Sequence, residues 1–308
     1  IDHIAINRDP RANFVKKARF GLSNWRKIGR VFGKLGNNLK SASVDELVCS
    51  IEGLDAEGFK AELHHIEHHR AHLASAYHVS PFDEAAVLSV DGSGDYVSSM
   101  WGQGQGNQIR VIDQVYLPHS LGIFYLAMTQ YLGFMNYGDE YKVMGLAAYG
   151  QPRYVDAMAD IVRLKQGGKF ELGLKYFHHH TLGVEMNWNN SEPIIDAVFT
   201  QELEQLLGPR QTANQPLTDF HRDIAASTQA AYETAFFHIL DHLHREIGSP
   251  RLCLAGGCAM NSVANGKVFE RSRFKELYVQ PAAGDAGGAL NNLWRHAAQP
   301  HGNRFFRR

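Results

Sequence analysis

The pattern of apolar and polar residues along the first 80 positions predicts the order strand, helix, strand, helix. Residues 2–7 form a mostly apolar run that predicts a buried strand already under way where the sequence starts. Residues 12–50 are mixed and punctuated by glycines, which is typical of helix and loop. Residues 61–67 predict a short strand, and residues 68–77 predict a helix that Pro81 closes soon afterwards.

Three strand-like runs follow, at residues 85–90, 96–102 and 109–116. The two connections between them are short and rich in Gly, Asn and Asp, as the turns of β-hairpins are. The pattern therefore predicts a three-stranded antiparallel meander, and residues 120–132 predict the helix that leaves it.

Helices and strands alternate again in the second half of the chain. A weakly patterned stretch comes first, at residues 151–215, and we expect it to be an insertion on the surface. Residues 219–247 carry apolar side chains at a spacing of about 3.6 and predict a long amphipathic helix. A meander followed by this alternation indicates an α/β fold with a mixed sheet. The predicted order is strand 251–255, a tight turn at Gly256 and Gly257, helix 261–270, strand 277–280 and helix 285–297.

Composition places the chain among ordinary globular proteins. Its 308 residues are 44% hydrophobic and 20% charged with a formal charge of −1, which excludes wholesale disorder and is compatible with one large domain or two lobes. No apolar run reaches the roughly 18–20 residues that cross a bilayer, and no signal pattern opens the chain, so we expect a cytoplasmic protein without membrane association. The cysteines Cys49, Cys253 and Cys258 do not suggest a disulfide framework.

Positive charge is concentrated at the start of the chain. Residues 1–40 contain ten Lys or Arg against two Asp, a local charge of +8. This segment could contact nucleic acid, but no aromatic stacking pattern accompanies it. We therefore favour a solvated basic helix and do not expect nucleic acid as a partner.

Two histidines at helical spacing provide the first candidate chemistry. His68 and His72 lie four residues apart, so a helix would present both imidazoles on one face, where they can bind one ion. Asp91 ends a predicted strand and Asp285 begins a predicted helix; either could complete such a site, or could instead be a turn or capping residue. Two imidazoles and two carboxylates suit Fe(II), Mn(II) or Zn(II).

Two glycine-rich turns are candidate phosphate sites. Gly92 and Gly94 lie within Asp91-Gly-Ser-Gly-Asp95, and Gly256 and Gly257 lie within Ala255-Gly-Gly-Cys-Ala-Met-Asn261. Backbone N–H groups of such turns can surround an anion. A plain hairpin turn and ordinary strand–helix packing remain alternatives, and Lys142 is either a phosphate ligand or a solvated lysine.

Taken as a set, five motifs resemble those of the O-carbamoyltransferases of nodulation-factor and antibiotic biosynthesis. They occur in that family's order and span most of the chain. The motifs are His68-His-Arg-Ala-His72 with the following Leu-Ala-Ser-Ala-Tyr-His-Val-Ser-Pro-Phe82, Ala86-Val-Leu-Ser-Val-Asp-Gly-Ser-Gly-Asp95, Tyr137-Gly-Asp-Glu-Tyr-Lys-Val-Met-Gly-Leu-Ala-Ala-Tyr-Gly150, Leu254-Ala-Gly-Gly-Cys-Ala-Met-Asn-Ser262 and Gln280-Pro-Ala-Ala-Gly-Asp-Ala-Gly-Gly-Ala289.

The resemblance implies a two-lobed fold of the actin/sugar-kinase/heat-shock type that closes on a nucleotide. It also implies that His68, His72, Asp91 and Asp285 are metal ligands, with Fe(II) expected ahead of Mn(II) or Zn(II), and that the four glycines named above bind phosphate. We add Lys142 and Asn261 as candidate cofactor contacts. Family members make carbamoyl adenylate from carbamoyl phosphate and ATP, and they transfer the carbamoyl group to a hydroxyl of a small molecule such as an aminoglycoside or a sugar.

The family pattern also has two parts for which this sequence shows no counterpart. One is an opening strand with a His-Asp-Ser-Ala type motif, and the other is a C-terminal domain that resembles the YrdC fold, where the adenylate is made. We therefore expect a transferase core to which a further domain or partner chain supplies the YrdC-like part. The expected division is residues 1–82 as the remainder of the first lobe with the histidine ligands, residues 83–300 as the second lobe, and residues 301–308 as a tail.

Two alternative functions stay open. The related enzymes that attach threonylcarbamoyl to tRNA adenosine share the fold that the resemblance implies, and the basic segment at residues 1–40 would suit tRNA. The other alternative is a non-catalytic fragment that keeps affinity for metal and nucleotide.

Overall fold

The structure, a computed structural model, describes residues 3–23, 62–184, 186–189, 192–212 and 215–289. In chain order, its strands are β1 (His3–Ile6), β2 (Glu62–His65), β3 (Glu84–Gly94), β4 (Val97–Gln105), β5 (Gln108–Tyr116), β6 (Val162–Leu164), β7 (Phe170–Leu172), β8 (Met186–Asn189), β9 (Glu192–Ile195), β10 (Arg251–Ala255) and β11 (Glu276–Val279). The α-helices are α1 (Phe14–Ser23), α2 (His68–Tyr77), α3 (Leu121–Tyr131), α4 (Glu140–Ala147), α5 (Val155–Ile161), α6 (His179–Leu182), α7 (Gln201–Leu207), α8 (Asp219–Ile247), α9 (Ser262–Asn265) and α10 (Val268–Arg271).

A five-stranded mixed sheet organises the protein. Its strand order is β11-β10-β3-β4-β5, in which β3, β4 and β5 form the predicted antiparallel meander and β10 and β11 join the β3 edge in parallel. The central strand β3 is continuously apolar from Ala85 to Leu88 because both of its faces are covered. The predicted α/β class with a mixed sheet is confirmed.

Helices cover both faces of this sheet, and side chains that alternate along β3 divide between them. On one face, Val87 packs with Leu73 and Tyr77 of α2. On the other face, Leu88 and Trp101 belong to the core that α3 and α8 complete. Because α2 lies against β3, its first turn is brought beside the end of that strand.

The long helix α8 confirms the prediction for residues 219–247. It contains 29 residues and ends at Gly248, whose left-handed backbone (φ 75°) caps it. Polar side chains occupy its outer face.

Within the described ranges, no helix combines the length and the apolar character that crossing a bilayer requires.

The parallel pair β1–β2 stands outside the main sheet. The strand predicted at residues 2–7 is present, but its expected burial is wrong, because residues 3–6 are exposed or half-buried. β2 leads directly into α2, and at this junction the N–H of Ile66 donates to the carbonyl of Ile6 (2.9 Å). The pair therefore delivers two distant segments, the one after β1 and the first turn of α2, to the same place.

The expected surface placement of residues 151–215 is wrong, because this stretch contributes large side chains to the core. Met158, Ile161, Phe170 and Phe199 are buried and belong to the same cluster as Trp101. The stretch is built from short elements, including α5, α7 and the β6–β7 hairpin. Their apolar residues recur too few times to show a period in the sequence.

Two further helices differ from the sequence prediction. Residues 261–270 form the separate short helices α9 and α10, which follow a 3-10 turn at Gly257–Met260. The helix predicted at 285–297 begins as a 3-10 turn at Asp285–Gly287, and its continuation after residue 289 lies outside the described residues. Cys49, the tail and residues 24–40 of the basic segment also lie outside them, and the division into lobes stays a prediction.

Buried His179 makes the stability of the fold depend on pH. Burial lowers the pKa of this imidazole to about 4, and its Nε2–H donates to the Pro118 carbonyl (2.7 Å). In the unfolded chain the pKa returns to about 6.5, so the folded protein binds fewer protons and loses stability as the pH falls from 6.5 towards 4. We expect His179→Gln, which stays neutral, to lose about 2 kcal/mol less than the wild type between pH 7 and pH 4.5. Urea unfolding at both pH values measures this, and equal losses would contradict the assignment.

Candidate metal centre and adjoining cleft

Four side chains from distant parts of the chain meet at the C-terminal end of β3. His68 begins α2, His72 follows one turn later, Asp91 lies where β3 leaves its regular ladder, and Asp285 begins the 3-10 turn after β11. One ligand atom from each lies within 4.8 Å of the others. The structure thus brings together all four residues predicted as metal ligands.

The distances within this group suit a single ion. His68 Nε2 and His72 Nε2 are 3.0 Å apart, and Asp91 Oδ2 lies 3.2 Å from the first and 3.7 Å from the second. Asp285 Oδ1 lies 3.4 and 3.6 Å from the same two nitrogens. Ligands about 2.1 Å from a tetrahedrally coordinated ion would be about 3.4 Å apart, so the group fits a first-row divalent cation.

An irregularity in β3 aims Asp91 into the group. β3 pairs regularly with β4 up to Val90, and the register shifts before Gly94 pairs with Val97. Such bulges re-aim side chains next to active sites. The hairpin then closes through left-handed backbone at Asp95 (φ 47°) and Tyr96 (φ 75°), which reverses the chain within two residues.

Hydrogen bonds from outside the group fix the orientation of its members. His68 Nδ1–H donates to the Asn7 carbonyl (3.3 Å), which turns Nε2 towards the carboxylates. Asn7 Nδ2 also donates to the backbone carbonyl of Asp285 (3.3 Å). The N–H of Gly257 donates to Asp91 Oδ1 (2.9 Å), so Oδ2 is the oxygen that faces the histidines. These partners hold the donors in place before any cation binds.

Asp95 ties the start of α2 to the segment after β1. Its Oδ2 accepts hydrogen bonds from the backbone N–H groups of Asp9 (2.8 Å) and His68 (3.0 Å). Asn13 Nδ2 donates to its backbone carbonyl (3.0 Å), and Lys17 Nζ lies 3.8 Å from its other carboxylate oxygen. Because two donors and a cation converge on one buried side chain, Asp95 fixes where the helix with the two histidines begins.

His69 lies between the two candidate ligands in sequence but has a different role. Its ring is fully buried, with Nε2–H donating to the Val97 carbonyl (3.0 Å) and Nδ1 accepting from Ser89 Oγ (2.9 Å). Burial lowers the pKa of His69 to about 3, so the ring is neutral. Both nitrogens are occupied, and His69 therefore anchors α2 to β3 and β4 rather than joining the metal group.

Burial and mutual contact set the charges of the group. Burial opposes charge on Asp91, but hydrogen bonds from His68 and His72 hold the pKa of its carboxyl well below the usual range. Burial likewise lowers the pKa of His72, and contacts with Asp285 and Asp91 outweigh it and raise the pKa to about 9. Protonated imidazole thus balances the carboxylates, and a divalent cation would take the place of those protons.

A cleft of 640 Å³ opens beside the group. His68 and Asp285 line it, and Ser93, Gly94 and Tyr96 line the wall that the β3–β4 hairpin provides. A molecule in this cleft would therefore contact both the hairpin backbone and the candidate metal ligands.

The glycines predicted to bind phosphate differ in how closely they are packed. A Cβ on Gly94 would lie 2.0 Å from His68 Cδ2, so Gly94 makes room for that imidazole, whereas nothing lies within 4 Å of the same position on Gly92. Gly256 has φ 89°, and a Cβ there would lie 2.2 Å from the Val90 carbonyl oxygen. The sequence motif therefore contains glycines required by local packing as well as glycines beside open space.

Lys142 and Asn261, the two side chains predicted to contact a cofactor, have protein partners. Lys142 Nζ lies 2.7 Å from Asp139 Oδ1. Asn261 is buried, exchanges two hydrogen bonds with Gln229 (3.0 Å each), and caps α9 by accepting from the N–H of Ala264. Asn261 therefore holds the turn after β10 against α8.

Comparison with known proteins places the chain in a family. The family model described as the carbamoyltransferase N-terminus matches residues 17–292. The chain belongs to the carbamoyltransferase family. The uncharacterized protein sll1178 of Synechocystis is 42% identical over 238 residues, which are 76% of this chain and 37% of that protein. Nodulation protein NolO of Bradyrhizobium diazoefficiens is 37% identical over 226 residues, which are 73% of this chain and 37% of that protein.

The carbamoyltransferase domain therefore spans just over a third of the length of these relatives. Among solved structures, HypF of T. kodakarensis aligns with a TM-score of 0.40 and 18% identity, over 78% of this domain and 37% of that chain.

Sequence reasoning missed two residues that organise this candidate site. Asp95 belongs to the glycine-rich motif at residues 91–95. Its role depends on hydrogen bonds from Asp9 and His68, which lie 86 and 27 positions away in the sequence, so the local pattern does not indicate it. Asn7 is the last residue of a predicted strand, and polar residues at strand ends are candidates for sites in α/β folds. That signal was present but not specific.

The close packing of Gly94 on His68 predicts a selective effect on metal binding. We expect Gly94→Ala to displace the imidazole and to weaken the binding of Mn(II) at least about tenfold, as the loss of an orienting contact does at metal sites. Gly92→Ala is the matched control, because a methyl group there meets nothing within 4 Å. Calorimetric titration of both variants measures the affinities, and equal affinities would contradict the role given to Gly94.

Proposed function

We propose that this domain is the transferase core of an O-carbamoyltransferase. In this proposal, His68, His72, Asp91 and Asp285 would hold a divalent cation, and the site would receive a carbamoyl adenylate that is made from carbamoyl phosphate and ATP. The carbamoyl group then passes to a hydroxyl of a small molecule such as an aminoglycoside or a sugar: a C–O bond forms to the hydroxyl oxygen, the bond to the adenylate phosphate breaks, AMP leaves and the hydroxyl proton is lost.

The observation that carries this proposal is the convergence of four metal-ligand side chains, two of which, His68 and Asp285, line an open cleft. Their donor atoms are spaced as ligands of one first-row ion are, and the chain belongs to a family of carbamoyltransferases. The donor set of two imidazoles and two carboxylates is suited to Fe(II), Mn(II) or Zn(II).

Each part of the site has a defined task in this proposal. When bound, the cation would supply a Lewis acid that holds the adenylate phosphate and stabilises the negative charge that develops during transfer. The turn at Ser93 and Gly94 lines the cleft, and its backbone can approach a phosphate closely where no Cβ intervenes. Gly256 and Gly257 belong to the turn after β10, and the N–H of Gly257 orients Asp91. Asn7 orients His68 and Asp285.

Formation of the adenylate is assigned to a part of the enzyme beyond this domain. The chain spans 37% of the length of its relatives sll1178 and NolO, so the proposed reaction is that of a larger protein. A YrdC-like domain or partner chain is the proposed source of the adenylate. The domain described here would receive it and carry out the transfer.

The joint binding of metal and nucleotide tests this proposal. We expect the chain to bind Fe(II) or Mn(II), and to bind ATP more tightly when the metal is present, because the phosphate would be a ligand of the bound cation. His72→Ala removes one of the four donors and should abolish the effect of metal on ATP affinity. Anaerobic calorimetric titration with ATP, with and without metal, measures both quantities.

His78→Ala is the matched control for that titration. His78 caps the other end of the same helix and does not belong to the metal group, so its variant should bind metal and ATP as the wild type does. Equal behaviour of His72→Ala and the wild type, with circular dichroism showing both folded, would reject the proposed centre.

A further inference from the structure

A second group of metal-ligand side chains lies on the β1–β2 pair. His3 on β1 faces Glu62 and His64 on β2, and one donor atom from each lies within 4.8 Å of the others. None of the three belongs to the centre formed by His68 and His72. The proposed carbamoyl transfer makes no use of them.

The strand register explains why these three side chains converge. His3 pairs with Glu62 across the parallel ladder, and His64 lies two residues after Glu62. Since side chains alternate between the faces of a strand, Glu62 and His64 project from the same face of β2. His65 projects from the opposite face, where its Nδ1 lies 3.0 Å from the Arg8 carbonyl oxygen.

The donor atoms have the spacing of a coordination sphere. His3 Nδ1 lies 3.1 Å from His64 Nε2 and 3.6 Å from Glu62 Oε2, and His64 Nε2 lies 3.9 Å from the same oxygen. Given these three separations, a point about 2.1 Å from all three atoms exists, and this is the usual length of a bond from Zn²⁺ to imidazole or carboxylate.

We infer that His3, Glu62 and His64 form a second divalent-cation site, suited to Zn²⁺. Two imidazoles and one carboxylate are a donor set that zinc takes in proteins, with the fourth position open to solvent. The side chains of His3 and Glu62 are 41% and 68% exposed, so an ion can reach the site without any movement of the fold.

An ion at this site would join strands that lie 59 positions apart in the sequence, from His3 to Glu62. β1 leads into Asn7 and β2 leads into His68. His68 is a proposed ligand of the first centre, and Asn7 orients it. Zinc at the second site would therefore stabilise the strand pairing that brings these residues together. The effect is thermodynamic linkage, because the ion binds the folded pair and not the separated strands.

The test uses a chain in which the first centre has lost one of its four donors. In the His72→Ala background, we expect titration with Zn²⁺ against a chromophoric chelator to show one tight equivalent of zinc. His3→Ala or His64→Ala in that background should abolish it, and Glu62→Gln, which keeps the size of the side chain, should weaken it at least about tenfold. His65→Ala is the matched control on the opposite face and should retain the equivalent.

Further readouts separate this site from other histidines and from failure to fold. X-ray absorption at the zinc edge of the loaded His72→Ala chain should show two imidazole ligands, and circular dichroism should be the same for all variants. Zinc should raise the unfolding temperature of the His72→Ala chain but not of the His3→Ala,His72→Ala chain. The inference is overturned if the His72→Ala background binds no zinc, or if His3→Ala and His64→Ala leave zinc binding unchanged. Loss of metal-dependent ATP binding would reject the proposed function while leaving this result intact.

Discussion

The need to accommodate one buried carboxylate determines how the parts of this domain are arranged. Asp91 lies at the end of the central strand with its side chain 14% exposed, where an unpaired charge would be strongly disfavoured. Its partners come from different segments: the Gly257 N–H from the turn after β10, and His68 and His72 from α2. Satisfying this charge therefore fixes the strand, the helix and the turn relative to one another. The same arrangement leaves one face of the imidazoles and carboxylates available to a cation.

A second carboxylate extends this arrangement to the beginning of the chain. Asp95 accepts hydrogen bonds from Asp9 and from His68, so the segment after β1 is attached to the helix that carries the histidines. Asn7, in the same segment, contacts His68 and Asp285. The two acidic residues at the ends of one glycine-rich motif thus have different tasks: Asp91 faces the cation position, and Asp95 holds the surrounding backbone.

Local periodicity was sufficient to predict the frame of the fold and the shared helix face of His68 and His72. In the meander, α2 and α8, apolar residues recur often enough along the sequence to predict each element. In a helix, the spacing of His68 and His72 places both side chains on one face. Asp91 and Asp285 were predicted from their positions at element ends, and their meeting also required the resemblance to a known family. Their role as metal ligands remains part of the proposed function.

The remaining features depend on contacts between distant residues, which no local pattern encodes. Asn261 was predicted to contact a cofactor, but its hydrogen bonds to Gln229 span 32 positions and commit its side chain to the interior. Phe170 and Phe199 fill the core from short elements whose sequence shows no period. Asn7 acts through its backbone carbonyl as well as its side chain, and a backbone contact leaves no mark in residue identity.

The turn at Gly256 has a consequence for the sequences that this architecture permits. Its positive φ of 89° is accessible to glycine at little cost, and the Val90 carbonyl occupies the space that any side chain would need. The positive φ and the lack of space act together. A change of backbone conformation alone would not remove the contact with Val90, and a small side chain alone would still be strained by the positive φ. Random mutation could alter most surface positions of the domain with little effect, but at this one position the shape of the turn leaves a single permitted amino acid.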